Sequence, residues 1–182
     1  MSVHAKKEVK KVIKGQQSDH RLIMRYKISV TAYSKSAAPE IKKHKMNAQQ
    51  IEMVRKTWAI FQKIDPVLVG EVFYDKLFND NPPFRRMFKE SKQIQAKKII
   101  AMLDQIVKHI DTVGNISHEL KNLGARHRSY GVKSAYYRPV GVALLWMLEQ
   151  GLGSDWNEEV KAAWNECYHT ISEIMIDEDR TQ

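Results

Sequence analysis

One histidine of this chain occupies a position from which it could bind a metal ion. His127 follows Leu120 and Leu123 at helical spacing, so it lies in line with the apolar row of a predicted helix. An inward histidine is ordinarily a core side chain hydrogen-bonded to a carbonyl, or one at an exposed edge that only packs. The functional alternative is a histidine that faces a cofactor. The three other histidines after residue 46 lie beside or off the apolar faces of their helices.

A tyrosine and a glutamine raise the same question on two other predicted helices. Tyr74 has Leu77 and Phe78 at helical spacing, as a core tyrosine with a satisfied hydroxyl would. Gln95 stands where an apolar residue is expected, at the head of a row that continues through Ile99, Met102, Ile106 and Ile110. Singly, Gln95 is explained as a helix-end residue that points to water. Together, the inward histidine and the two hydrogen-bond donors favour a pocket centred on a cofactor.

The elements that position these residues are all predicted to be helices. Apolar residues recur at helical spacing after residue 46, and no segment there needs to be a strand. We expect about six substantial helices, beginning near Asn47, Pro66, Lys92, Ser117, Arg138 and Asp155. Asn47 with Gln50 indicates a capping box, Gly114-Asn115 a break, and Asp155 with Glu158 a further cap. The prediction is one all-α domain over residues 46–182.

Composition excludes several classes of protein. The single cysteine, Cys167, cannot form an internal disulfide and leaves too few sulfur ligands for a zinc or iron–sulfur site. A lone cysteine fits a reducing compartment, and a cytoplasmic location is the expectation. No uninterrupted apolar run approaches the roughly 18 residues that a membrane span requires. Nothing resembles a glycine-rich phosphate loop or a Ser/His/Asp set.

The net charge of +9 resides entirely in the N-terminal quarter of the chain. Residues 1–45 contain twelve Lys and Arg against three Asp and Glu, whereas residues 46–182 contain eighteen of each. The domain therefore has no overall electrostatic reason to bind nucleic acid. The basic extension is expected to be mostly disordered. A targeting segment, a surface-binding arm, or a misassigned start before Met46 are the alternatives.

Two sequence segments resemble those that flank the iron in globins. Leu123-Gly-Ala-Arg-His127, followed by Tyr130-Gly-Val132, resembles the proximal segment of bacterial and neuroglobin-like globins. Phe73-Tyr74-Asp-Lys-Leu-Phe78, followed by Asn81-Pro82, is similar to the second helix of flavohaemoglobin globin domains. The resemblance covers residues 47–179, and it implies a globin fold of six to eight helices around a haem.

The resemblance also implies a role for each candidate residue. His127 would ligate the iron of haem b, and Tyr74 and Gln95 would donate hydrogen bonds to an O2 ligand. Phe88 matches the phenylalanine that wedges the haem, and Tyr137 with Asp179 matches a pair that supports the proximal histidine. Further cofactor contacts are implied for Lys98, Ile99, Leu123, Val132, Tyr137 and Val140.

The function implied by the resemblance is tight, reversible binding of O2, with CO and NO as further ligands. Oxygen transport is one use of such a site. One alternative is a nitric oxide dioxygenase, which detoxifies NO to nitrate and here would need a separate electron-donor reductase, since no flavin domain follows Gln182. Another is an O2 or NO sensor that acts through the basic extension. Since no histidine matches the distal position, we expect a five-coordinate ferrous state.

Overall fold

Six α-helices joined by short 3-10 turns make up residues 46–176, the part of the chain that this computed structural model describes, the side chains of residues 113–115 excepted. The helices are α1 Ala48–Phe61, α2 Pro66–Asp80, α3 Lys92–Lys108, α4 Val113–Ser129, α5 Tyr137–Leu152 and α6 Glu158–Ile176. No strand occurs within these residues, so the predicted all-α class is confirmed. The predictions made for residues 1–45 and for Asp179 concern positions outside the described residues.

The first two helices begin at the residues that the sequence indicated. Asn47 accepts from the backbone N–H of Gln50 at 2.8 Å, and the Gln50 side chain accepts from the Asn47 N–H at 3.0 Å, which completes the capping box. Asp65 accepts from the Val67 N–H at 2.9 Å, and Pro66 occupies the first turn of α2.

The predicted starts of α4 and α6 were wrong. Helix α4 begins at Val113 and runs through the predicted break at Gly114-Asn115. A glycine costs only about 1 kcal/mol inside a helix, which packing can offset. Asn157, not Asp155, caps α6 by accepting from the Val160 N–H at 2.9 Å. Asp155 belongs instead to a 3-10 turn that ends before the helix.

Helices α1 and α6 pack through a pair of buried tryptophans. The rings of Trp58 and Trp164 meet edge to face at 5.9 Å. The Trp164 indole N–H donates to the Thr57 hydroxyl at 3.0 Å, and the Trp58 indole N–H donates to the Asp104 carboxylate at 2.6 Å. Both tryptophans therefore have polar partners although each is 1% exposed. This arrangement joins α1 to both α3 and α6.

Helices α2 and α3 cross at a point where only a glycine fits. A Cβ at Gly70 would lie 2.5 Å from the Ala96 Cα, so the two backbones are in contact there. Tyr74 lies one turn after Gly70, and Gln95 directly precedes Ala96. The crossing therefore brings the two predicted hydrogen-bond donors close to one another.

Helix α3 carries two adjacent apolar rows, of which the sequence analysis identified one. The buried row consists of Ala96, Ile100 and Leu103. The predicted row through Ile99 and Met102 lies one position earlier and is only half-buried. The later members of this row, Ile106 and Ile110, are buried, so the row becomes partly exposed only toward the start of the helix. The same row contains Gln95 at its head.

Candidate haem pocket

The imidazole of His127 is held by a main-chain hydrogen bond that leaves one ring nitrogen free. Its Nδ1 lies 2.8 Å from the carbonyl oxygen of Leu123. Because a carbonyl only accepts, Nδ1 must carry the proton, which leaves the Nε2 lone pair free in the neutral ring. Burial lowers the pKa of His127 below its usual value, which favours that neutral form. The acceptor for this nitrogen is thus a main-chain carbonyl of the same helix.

Local backbone geometry ends α4 at Ser129, two residues after His127. Gly131 has φ +83°, in the left-handed region that glycine adopts readily. The N–H of Val132 then donates to the His127 carbonyl at 3.0 Å, and the N–H of Gly131 donates to Arg128 O at 2.8 Å. These two bonds form a Schellman motif, which explains why glycine and an apolar residue follow Tyr130.

Helix α6 packs against α4, the helix that carries His127. A Cβ at Gly124 would lie 2.2 Å from the Met175 carbonyl oxygen, so α4 and α6 approach backbone to backbone. The Arg128 guanidinium donates to that same oxygen at 3.1 Å. These two contacts flank His127 in sequence and restrict how far the imidazole can move.

A cavity of about 230 Å³ opens between α2, the turn after it, and the start of α3. Three of the predicted site residues line it together: Tyr74, Phe88 and Gln95. Its other lining residues are Asp75, Phe78, Arg85, Glu90 and Lys92. The aromatic rings form an apolar interior, and the charged groups lie toward solvent. Lys92 and Asp75 are paired at 2.8 Å, which closes one side of the opening.

Tyr74 places a neutral phenol in this cavity. Its ring is 5% exposed and packs against Phe73, Phe78 and Phe88, with centroid distances of 4.9, 5.5 and 5.3 Å. Burial raises the pKa of the hydroxyl, so it stays protonated. Within residues 46–176 the hydroxyl makes no hydrogen bond to the protein. The hydroxyl is therefore a hydrogen-bond donor without a protein acceptor among these residues, on a ring that is packed on three sides by phenylalanines.

The amide of Gln95 is hydrogen-bonded at the mouth of the cavity. Its Nε2 donates to the Glu90 carboxylate at 3.1 Å. The amide bonds to this carboxylate rather than to the Tyr74 hydroxyl, since a charged carboxylate is the stronger acceptor. Lys98 is exposed and pairs with Glu90 at 2.5 Å. Its contact with a cofactor stays a prediction.

The remaining residues predicted to contact a cofactor have side chains that are only partly buried. Core apolar residues here are at most 8% exposed, whereas these are half-buried: Phe88, Ile99, Leu123, Val132, Tyr137 and Val140. An apolar surface left partly open on several elements fits a flat apolar group that would cover it. Contact of these residues with a haem, like ligation by His127, stays a prediction.

Two features of the pocket region escaped the sequence analysis. The charged mouth, formed by Asp75, Arg85, Glu90 and Lys92, had no periodic signal, since loop and helix-end charges are ordinarily solvent-exposed. The second is the hydroxyl of Tyr168, which donates to the Tyr137 carbonyl at 2.5 Å and so anchors the start of α5.

These features describe a helical protein with a half-buried histidine on α4 and a cavity between α2 and α3 that His127 does not line, and comparison with known proteins identifies its class. The sequence model of the Globin family matches residues 71–175, more than half of the chain. The chain therefore belongs to the globin family, whose members are haem proteins that bind gaseous ligands. The predicted globin fold is confirmed.

Bacterial flavohaemoproteins are among the relatives in sequence. The chain is 28% identical over 134 residues to the flavohaemoprotein of Bacillus subtilis, covering 72% of this chain and 33% of that protein. It is 23% identical over 137 residues to that of Vibrio cholerae, covering 74% of this chain and 34% of that protein. The chain thus spans about a third of the length of these relatives.

Solved globin structures share the fold. A bacterial globin from Campylobacter jejuni superposes with a TM-score of 0.62 at 26% identity, covering 72% of this chain and 94% of that one. A hexacoordinated haem protein from an anhydrobiotic tardigrade gives a TM-score of 0.66 at 20% identity, covering 75% and 96%. No helix within residues 46–176 is long and apolar enough to cross a membrane.

Proposed function

We propose that this globin binds haem b through His127 and holds O2 tightly through the Tyr74 hydroxyl. Ferrous haem, when bound, supplies an open coordination position for a diatomic ligand. The observation that carries the proposal is the buried Tyr74 phenol, which lines the cavity and has no hydrogen-bond partner within the described residues. A neutral phenol so placed can donate only to something that enters the cavity.

The residues around the cavity contribute in distinct ways. The Leu123 carbonyl orients His127 and raises the basicity of its ligating nitrogen. Phe88 and Ile99 present apolar surface that limits access of water and protons. Gln95 is a second donor, whose availability depends on its bond to Glu90. Lys98, Leu123, Val132, Tyr137 and Val140 are proposed to contact the haem.

The test is the absorption spectrum of the purified protein in the ferrous state, with and without O2. We expect a Soret band, a five-coordinate ferrous spectrum, and a stable change on adding O2. His127→Ala should lose most of the haem or retain it only with added imidazole. Normal haem retention and an unchanged ferrous spectrum in that variant would contradict the ligand assignment.

A second candidate function is nitric oxide dioxygenation, in which O2 and NO are converted to nitrate. It is favoured by the similarity to flavohaemoproteins together with the Tyr74 and Gln95 donors. Turnover needs electrons, so a separate reductase is the proposed partner. NO consumption measured with and without an added flavin reductase distinguishes this function from O2 storage or transport. NO consumption no faster with the reductase than without it would refute the enzymatic alternative.

We further propose that residues 46–182 form the globin domain and that residues 1–45 are an accessory basic extension. The support is the charge, which is +9 in the extension and zero in the remainder. A sensor that acts through this extension would require it to bind a partner. Deletion of residues 1–45 tests this division, since it should leave haem binding nearly intact.

A further inference from the structure

A single carboxylate oxygen binds two residues at the mouth of the cavity between α2 and α3. Glu90 Oε2 accepts from Gln95 Nε2 at 3.1 Å and from the Lys98 ammonium at 2.5 Å. Glu90 precedes α3, whereas Gln95 and Lys98 lie about one turn apart on the helix. The three side chains therefore form a cluster that links the loop to the first turns of α3.

The position of this cluster matters because Gln95 and Glu90 both line the cavity. Tyr74 lies in its buried aromatic interior, at 5% exposure, while the Glu90 side chain is 41% exposed. An amide bonded to Glu90 is thus drawn toward the solvent side of the cavity. The bond to Glu90 occupies one of the two amide N–H donors and fixes the direction of the other.

We propose that Glu90 is a positioning residue that restrains Gln95 at the cavity mouth and thereby limits its donation to a diatomic ligand. Acceptance by a charged carboxylate is stronger than acceptance by a neutral oxygen. Lys98 reinforces the restraint because its ammonium holds the carboxylate in place. This inference rests on the proposed function, since it concerns how the second distal donor of that same pocket is controlled.

The chain contains a matched control for this interaction. Gln93 Nε2 donates to the Glu71 carboxylate at 2.9 Å, so an amide and a carboxylate are paired here as well, in this case between α3 and α2. Neither Glu71 nor Gln93 lines the cavity. Removing the Glu71 carboxylate therefore breaks an equivalent bond without freeing a distal donor.

The experiment is a double-mutant cycle on the haem-bound protein, read by O2 dissociation in stopped-flow. Glu90→Ala should slow O2 release about three- to tenfold, because Gln95 becomes free to donate to the ligand. The same substitution in a Gln95→Leu background should leave the rate unchanged, and so should Glu71→Ala in the otherwise native protein. The C–O stretching frequency of the ferrous carbonyl complex should fall in Glu90→Ala only while Gln95 is present.

Two results would overturn the proposal. One is an O2 dissociation rate and C–O frequency in Glu90→Ala equal to those of the native protein. The other is an effect of Glu90→Ala that persists in the Gln95→Leu background, because Glu90 would then act through Lys98 or the loop. Either result would leave a haem-binding, ligand-binding globin intact, whereas failure of the proposed function would appear as loss of the ferrous spectrum in the unmodified chain.

Discussion

Replacing Tyr74 by phenylalanine removes one hydroxyl and little else. The ring keeps its contacts with Phe73, Phe78 and Phe88, whose centroids lie 4.9–5.5 Å away. Since the hydroxyl has no protein partner within residues 46–176, its loss leaves no buried group unsatisfied. We expect the free energy of unfolding to change by less than about 0.5 kcal/mol.

The effect on O2 should be much larger than the effect on stability. A hydrogen bond to an acceptor that carries charge contributes roughly 1.5–3 kcal/mol. Losing it should speed O2 dissociation about 10- to 150-fold, since 1.4 kcal/mol corresponds to a factor of ten. CO dissociation should change much less, because CO is the weaker acceptor. Gln95→Leu should accelerate O2 release less than Tyr74→Phe, since the Gln95 amide already bonds to Glu90.

Stopped-flow measurement of O2 and CO dissociation decides the matter, with Tyr168→Phe as the control. Tyr168 also loses a buried hydroxyl, but this hydroxyl donates to the Tyr137 carbonyl. The control should therefore cost about 0.5–1.5 kcal/mol of stability and leave O2 release nearly unchanged. An unchanged O2 dissociation rate in Tyr74→Phe would refute the assignment of the phenol as ligand donor and would remove the argument for dioxygenase chemistry.

Three further predictions concern two glycines of α4 and its C-terminal turn, and the N-terminal extension. Gly124→Ala should lower the free energy of unfolding by about 1–3 kcal/mol and Tm by roughly 3–10 °C, because the new methyl group would overlap the Met175 carbonyl. A Tm equal to the native value by calorimetry would disprove that close approach. Ala substitution of Gly131 should cost stability without any clash, since only its φ of +83° disfavours a side chain, and haem affinity should fall less than in Gly124→Ala. Deletion of residues 1–45 should leave haem binding and Tm nearly intact while lowering the isoelectric point by several units, and a truncated protein that fails to fold would show that the extension is required.

The helices and their inward faces could largely be predicted from local sequence. Capping residues such as Asn47 and Asp65 act within one turn, so their effect is visible without knowing the fold. The breaks at Gly114-Asn115 and the cap at Asp155 were mispredicted for the converse reason. Local propensities there are worth about 1 kcal/mol or less, and contacts between helices can outweigh them.

The sequence by itself determined that the part of the chain described by the structure, residues 46–176, is all-helical. It also determined that one histidine lies in a leucine row and that a tyrosine and a glutamine accompany it in globin order. Each of these properties follows from spacing along single helices or from the succession of motifs. Tertiary structure alone decided which groups meet. The Gly70–Ala96 crossing places Tyr74 and Gln95 on one cavity, and a carboxylate from the preceding loop takes the glutamine amide. Such pairings depend on the approach of separate elements to within hydrogen-bond distance, which no periodicity in the sequence specifies.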